Sequence, residues 1–192
     1  ALKDTQVSIS EKGQQEPGVI LSDGRVIDGN RRFTALRRIQ RDTDIKQYFE
    51  AVILSFDIKN KLDEKKIKEL ELDLQLGREE RVSYEPIDRI FDVYNTIKVQ
   101  KLMTREEYKK ASGAGNTKRI NKDLRLADLI IKFLSIVAPN ENPIDKFYLA
   151  RELKLDGPLE DIERTINKLK KDKETITQNV LTILAVQIAK SE

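Results

Sequence analysis

Between Gly18 and Arg38 the chain reads as two short apolar runs, a turn, and an abrupt switch to helix, which restricts this part to a small sheet passing into a helix. Gly18-Val19-Ile20-Leu21 and Arg25-Val26-Ile27-Asp28 flank Ser22-Asp23-Gly24, and Asp-Gly between apolar runs is a hairpin signal. Gly29-Asn30-Arg31-Arg32-Phe33-Thr34-Ala35-Leu36-Arg37-Arg38 follows. A glycine turn that leaves a strand and opens a helix presents unpaired backbone N–H groups. Arg31 and Arg32 add full positive charge there, although the N-terminal end of a helix dipole is already positive. Cations at that end make physical sense when an anion, usually a phosphate, lies between them. The competing reading is a solvated basic helix start.

Around this segment, Ser8-Ile9 to Lys12-Gly13-Gln14 reads as the end of a short helix closed by Gly13. Thr34 to Arg41 continues a helix that buries Phe33, Leu36 and Ile39. Ala51-Val52-Ile53-Leu54-Ser55-Phe56 has the length and β-branched content of a buried strand. Asp57 to Asp63 is a connection, after which the sequence is helical almost to its end. Leu62, Ile67, Leu70, Leu72, Leu74 and Leu76 mark one helix, and Pro86-Ile87 opens another that runs to about Met103, with proline in its first turn.

Thr104-Arg105-Glu106-Glu107 is a capping box, with Tyr108 and Ala111 facing inward. Ser112-Gly113-Ala114-Gly115 breaks the chain. Asn116 then caps a helix whose inward positions are Ile120, Leu124, Leu126, Ala127, Ile130 and Ile131. A short helix, a glycine turn and a second helix carrying Lys118, Arg119, Lys122 and Arg125 is a helix-turn-helix layout, in which the second helix enters the DNA major groove. An ordinary αα-hairpin with a basic outer face is the alternative. Beyond it come a loop at Pro139–Pro143, a helix around Lys146–Leu153, a break at Asp156-Gly157-Pro158, and one or two amphipathic helices between Leu159 and Ile188. The tail's apolar positions, Ile162, Ile166, Leu169, Ile176, Val180, Leu184 and Ile188, are read as core packing, ahead of a dimer face or a cap on the DNA-binding helices.

Composition narrows the chemistry. The 192 residues contain no cysteine and no histidine, which excludes disulfides, zinc-type sites and Ser-His or Cys-His nucleophile pairs. Any metal is then a hard cation such as magnesium on carboxylates and ligand phosphates. No apolar run approaches the ~18 residues that span a bilayer, no signal peptide is visible, and a cytoplasmic, nucleoid-associated protein is expected. The start at Ala1 without methionine reads as a piece of a longer protein. The net charge of +3 identifies nothing by itself, but its distribution does. Residues 29–46 carry a local net of +4, residues 101–125 carry +5, and residues 57–80 carry −2. Two basic islands around an acidic middle suggest two anion-binding surfaces.

In this order the elements resemble the ParB family of partition proteins, specifically a ParB/sulfiredoxin-like N-terminal domain followed by a helix-turn-helix domain. Ser8-Ile9, Gly13-Gln14-Gln15-Glu16-Pro17, the Asp23-Gly24 hairpin and Gly29-Asn30-Arg31-Arg32-Phe33-Thr34-Ala35 stand where that family has a Ser-Ile end, a Gly-Gln-x-x-Pro element, a hairpin and a Gly-Glu-Arg-Arg phosphate motif. Leu72-Asp73-Leu74-Gln75-Leu76 and Tyr84-Glu85-Pro86-Ile87 echo the family's Glu-Asn-x-x-Arg motif and its Pro-x-Glu helix. The helix-turn-helix at 104–126, including Leu124-Arg125-Leu126, falls where the family places it. The resemblance covers roughly residues 5–135. There are departures: Asn30 replaces glutamate, Thr34 stands where arginine is common, and Leu72 and Leu76 hold the glutamate and arginine positions of the acidic motif.

The resemblance implies an α+β fold, with a small-sheet N-terminal domain over 1–85 and an all-helical domain over 86–192. It implies CTP and magnesium as ligands, with Gly29, Asn30, Arg31 and Arg32 on the phosphates and Glu71 or Asp73 as metal ligands. It also implies a homodimer bound to a two-fold DNA site in plasmid or chromosome partition. In the DNA-binding reading Asn116, Thr117, Lys118 and Lys122 reach base edges, while Arg119 and Arg125 meet phosphates or acidic neighbours. No membrane partner is expected. The other reading is a nucleotide-dependent enzyme or nuclease on the same N-terminal fold, a weak CTPase included, with Asp28, Glu71 and Asp73 as its candidate carboxylates. A third is an adaptor that binds no nucleotide and only docks to a partner.

Overall fold

The computed structural model describes residues 2–56, 59–76 and 85–190. Asp57 and Tyr84 of the motifs above lie outside the described residues, as does the side chain of Leu76. The chain is mixed α+β, predominantly helical with one three-stranded sheet, and divides into two compact units, Ala1–Glu79 and Glu80–Glu192.

In the first unit α1 (Leu2–Lys12) stops at Gly13, whose φ of 71° lets its N–H return to the Ile9 carbonyl at 2.9 Å. β1 (Gly18–Leu21) and β2 (Val26–Asp28) form the hairpin, with Gly24 at φ 87° and the Asp23 carboxylate accepting from the Arg25 N–H. A bulge separates the pairs Val19–Asp28 and Ile20–Val26. α2 (Asn30–Thr43) leaves β2 through Gly29 and carries the chain back to β3 (Ala51–Leu54), which pairs parallel with β1 in the order β2-β1-β3. Ile9, Ala35, Leu36 and Ile39 make one core, with Phe49 packed against it. Leu21, Ile27 and Ile67 make another, placing α3 (Lys61–Leu76) against the sheet.

β3 departs from expectation. Its composition suggests a strand buried on both faces, yet Val52 is 51 % and Ile53 64 % exposed. Among the described residues β3 is an edge strand paired on one side only, and Val52 and Ile53, being adjacent, point to opposite faces, so both faces of the sheet are open at this edge. Phe33 is likewise half-buried rather than buried, with its ring edge against Phe49 (centroids 5.4 Å apart) and Arg37 over its face.

The second unit is assembled around one long helix. α4 (Pro86–Tyr94) enters with Pro86 at its start and passes into a π-helical turn, Asn95–Val99. It stops short of Met103: Lys101 takes φ 54°, and Met103 is buried outside the helix. α5 (Arg105–Ala111) begins in the anticipated capping box, with the Thr104 hydroxyl accepting from the Glu107 N–H and the Glu107 carboxylate accepting from the Thr104 N–H. α6 (Thr117–Val137) is the axis of the unit, burying residues from Ile120 to Leu134 against α4 and the helices that follow. Full burial of side chains such as Phe133 and Leu134 contributes about 1.5–3 kcal/mol each.

α7 (Tyr148–Glu152), α8 (Asp156–Ile166) and α9 (Lys173–Ala189) close the core, with Leu155, Leu159, Ile166 and Leu181 buried in it. Asp156-Gly157-Pro158, read from sequence as a break, is instead the first turn of α8. Proline fits there because first-turn N–H groups lack helical acceptors, and the actual stop is at Lys154, with φ 51°.

Candidate functional site

Gly29 takes φ 93° and joins β2 directly to α2. The first intrahelical bond runs from the Phe33 N–H to the Gly29 carbonyl at 2.8 Å, and no side chain caps the helix. Gly29 also sits against Gly18: a β-carbon on Gly29 would stand 3.2 Å from the Gly18 Cα and 2.9 Å from Phe49 Cζ. A β-carbon on Gly18 would collide with the same ring. Gln14, from the Gly-Gln-x-x-Pro element, holds this corner together. Its side-chain amide donates to the Glu50 carbonyl at 2.7 Å and accepts from the Glu50 N–H at 3.0 Å, extending the β1–β3 pairing by one side chain.

The two arginines of the turn have different placements. Arg32 faces inward, 19 % exposed, and donates to Asp28 Oδ2 (3.1 Å), the Pro17 carbonyl (3.2 Å) and Glu16 Oε2 (3.3 Å). Its buried Nε has no hydrogen-bond partner among the described residues. Arg31 is exposed and makes no hydrogen bond or ion pair among them. Asn30 is also exposed, its amide 3.5 Å from the Val26 carbonyl. The structure thus splits the turn into a structural arginine, which ties the Glu16-Pro17 entry to β2 and α2, and an outward arginine beside an uncapped helix start.

The acidic candidates do not converge. Glu71 is paired with Lys68 at 3.4 Å, and Asp73 is exposed two residues further along α3. Residues two apart on a helix do not face each other, so these carboxylates cannot close on one ion. Among the described residues no acidic group of three or more could hold a metal. Glu71 and Asp73 therefore do not form one paired site on α3. Asp28, the third candidate for an enzyme reading, is occupied by Arg32.

In the second unit Asn116 caps α6 through its side-chain oxygen, which accepts from the Lys118 N–H at 2.9 Å. Lys118 and Arg119 are exposed and make no ion pair among the described residues, and Thr117 is half-buried at the helix start. Lys122 and Arg125, grouped with them by sequence, are placed differently. Lys122 Nζ lies 2.9 Å from Glu160 and Arg125 Nε 2.5 Å from Glu163, so both cations are held by α8. Glu163 is buried and also accepts from the Asn167 amide at 3.1 Å.

α4 positions this pair of helices, and none of its polar contacts is visible in the sequence reading. Arg89 grips Asp123 of α6 with two parallel bonds of 3.0 and 3.1 Å, and the Asp92 carboxylate accepts from the Tyr108 hydroxyl of α5 at 2.7 Å. One signal was present: Asp123 interrupts the apolar stripe Ile120, Leu124, Ala127, and an acid on a buried face needs a cation. A further polar cleft of about 330 Å³ lies between α6, α8 and α9, lined in part by Asp128, Lys132, Glu163 and Glu174. Partial burial there raises the Asp128 carboxyl above its ordinary range, against the pull of Lys98 and Lys132.

No protein-family model matches this chain, and no curated protein matches it.

Proposed function

We propose that the protein is a sequence-specific DNA-binding protein of the ParB type, reading DNA through α5, the turn and α6. The observation that carries this reading is the start of α6: an Asn116 cap followed by two outward cations, Lys118 and Arg119, unpaired among the described residues. A helix-turn-helix uses the N-terminal residues of its second helix to reach base edges, and arginine or lysine on guanine is the commonest specific contact. Asn116 and Thr117 complete that edge. Lys122 and Arg125 act as scaffold, because α8 already holds their charges. In the first unit, the uncapped α2 start with Gly29, Asn30 and Arg31 is the place for a nucleotide phosphate such as that of CTP, and Arg32 shapes it from beneath. Binding as a homodimer to a two-fold site in plasmid or chromosome partition is the biological setting that accords with this arrangement.

Selection of bound duplexes from a randomised DNA pool tests the reading. A reproducible preferred site is expected, with Lys118→Ala costing about 1–3 kcal/mol of discrimination at an individual position and Arg119→Ala weakening binding about equally across sequences. Recovery of no preferred sequence by the folded protein would overturn it.

A further inference from the structure

α2 has an outward face made of arginine. Arg31, Arg38 and Arg41 fall at i, i+7 and i+10, and Arg37 lies alongside, one turn before Arg41; all four are exposed. The opposite face holds Ala35, Leu36 and Ile39 in the core, so the stripe points away from the packed interior of its unit. Across the whole chain lysine outnumbers arginine, yet every basic residue of α2 is arginine. Simple solubility would be served as well by lysine. Arginine differs in presenting a planar fork that matches phosphate geometry.

The neighbours of these guanidinium groups are consistent with an anionic ligand of extended shape. Arg37 is held over the Phe33 ring at 5.8 Å, and Arg41 contacts Asp42, the one acid on this face of the helix, at 3.0 Å. Asn30 and Thr34 share this face, and its apolar contact is confined to the half-buried Phe33 ring beneath Arg37, less than the apolar anchoring that a protein interface or a membrane surface uses. From Arg31 to Arg41 the helix advances about 15 Å. One strand of duplex DNA carries a charge about every 3.4 Å of axis, so this length faces about four phosphates, more than a single nucleotide presents.

We propose that the outer face of α2 is a sequence-independent docking surface for the sugar-phosphate backbone of duplex DNA, with Arg37, Arg38 and Arg41 as its phosphate contacts and Arg31 at its end. It lies in the first unit and is separate from base reading by α6. The surface supplies affinity and register, and α6 supplies sequence.

The test is the salt dependence of binding to a duplex that lacks any preferred site, using the full chain. Arg38→Gln/Arg41→Gln leaves Arg37 on Phe33 and alters only exposed side chains. Its plot of log affinity against log salt is expected to be shallower than wild type by between about 0.9 and 1.8, one full counterion contact at Arg38 and up to a second at Arg41, where a phosphate must displace Asp42. Adding Arg37→Gln takes off about 0.9 more. Lys118→Ala/Arg119→Ala serves as the comparison. If that variant loses site preference while the α2 variants retain preference with a shallower slope, both assignments stand. If no site preference exists at all but the α2 slopes still fall, the docking surface stands and the base-reading assignment fails. An unchanged slope in the α2 variants, with unfolding curves equal to wild type, overturns the proposal. So does unchanged DNA binding accompanied by lost binding to vesicles of anionic lipid.

Discussion

Phe49 Cζ lies 2.9 Å from where a β-carbon on Gly29 would stand, which gives this glycine two separate reasons to be glycine. The first is its φ of 93°, which L side chains rarely adopt, and the second is the ring. Gly24 has a similar φ of 87° but open space around it. Gly24→Ala therefore measures the backbone term alone, about 1–2 kcal/mol. Gly29→Ala should cost more, about 3 kcal/mol once overpacking against Phe49 is added. Urea midpoints of the two variants separate the terms, and Gly29→Ala/Phe49→Leu should recover part of the difference. Equal costs at the two positions would show that the ring yields freely.

Arg32 and Arg31 should part company in the same way. Arg32→Ala removes three hydrogen bonds joining Glu16, Pro17 and Asp28, and should destabilise the protein by about 2 kcal/mol. Arg31→Ala touches nothing in the fold and should unfold as wild type does. Equilibrium binding of labelled CTP and ATP then reads function without a folding artefact. Saturable CTP binding that is lost in Arg31→Ala establishes the turn as a phosphate site. Absence of both nucleotides from the wild-type protein removes the phosphate role and leaves the proposed DNA-binding role to stand on α6 alone.

The buried fork between Arg89 and Asp123 calls for a double-mutant cycle. Asp123 is 2 % exposed, so Asp123→Ala leaves Arg89 without its partner at the α4–α6 contact and should cost about 3 kcal/mol. Arg89→Met/Asp123→Leu replaces the pair by apolar volume and should recover most of that loss. Site preference on DNA should follow stability in these variants, because Arg89 acts by placing α6. A double variant as unstable as the single one would mean that geometry of the fork, rather than burial of a lone charge, dominates.

The local chemistry of turns and caps was legible in the sequence because each device sits within a few residues. Gly13, Asp23-Gly24, Thr104 with Glu107, and Asn116 all do in the structure what their types suggest. The exposure of β3 was not legible in the sequence, because an apolar run does not reveal whether its strand is central or at an edge. Asp156-Gly157-Pro158 is ambiguous in sequence, because glycine and proline serve a helix start as readily as a break. The candidate DNA-reading cations divided for a similar reason. The partners of Lys122 and Arg125 lie 38 residues away in sequence, and helical spacing carries no record of them.

That division has a direct consequence. Arg125→Ala strips the guanidinium from Glu163, which keeps only the Asn167 amide among the described residues, and leaves a buried acid short of a cation. Stability should fall by about 2 kcal/mol, with Arg125 itself partly exposed. Lys118→Ala should leave the unfolding curve unchanged and weaken DNA binding. If Arg125→Ala instead lowered DNA affinity with no effect on unfolding, its ion pair with α8 would be incidental and the residue would belong to the interface.

Asp128 supplies the pH dependence of the same region. Its carboxyl is raised chiefly by burial at the cleft, with Lys98 and Lys132 opposing. An acid whose folded pKa exceeds its unfolded value binds its proton more tightly in the native state. Its contribution to stability is therefore present below 3.8, the unfolded value, and is lost as pH rises through the folded pKa. Asp128→Asn keeps the shape and removes the charge, so it should stabilise the protein at neutral pH. The gain should shrink as pH falls through that window, where the wild-type carboxyl becomes neutral. Melting temperatures of both proteins across acid and neutral pH test this, and a variant less stable than wild type at neutral pH would show that attraction from Lys98 and Lys132 outweighs the desolvation of the carboxylate.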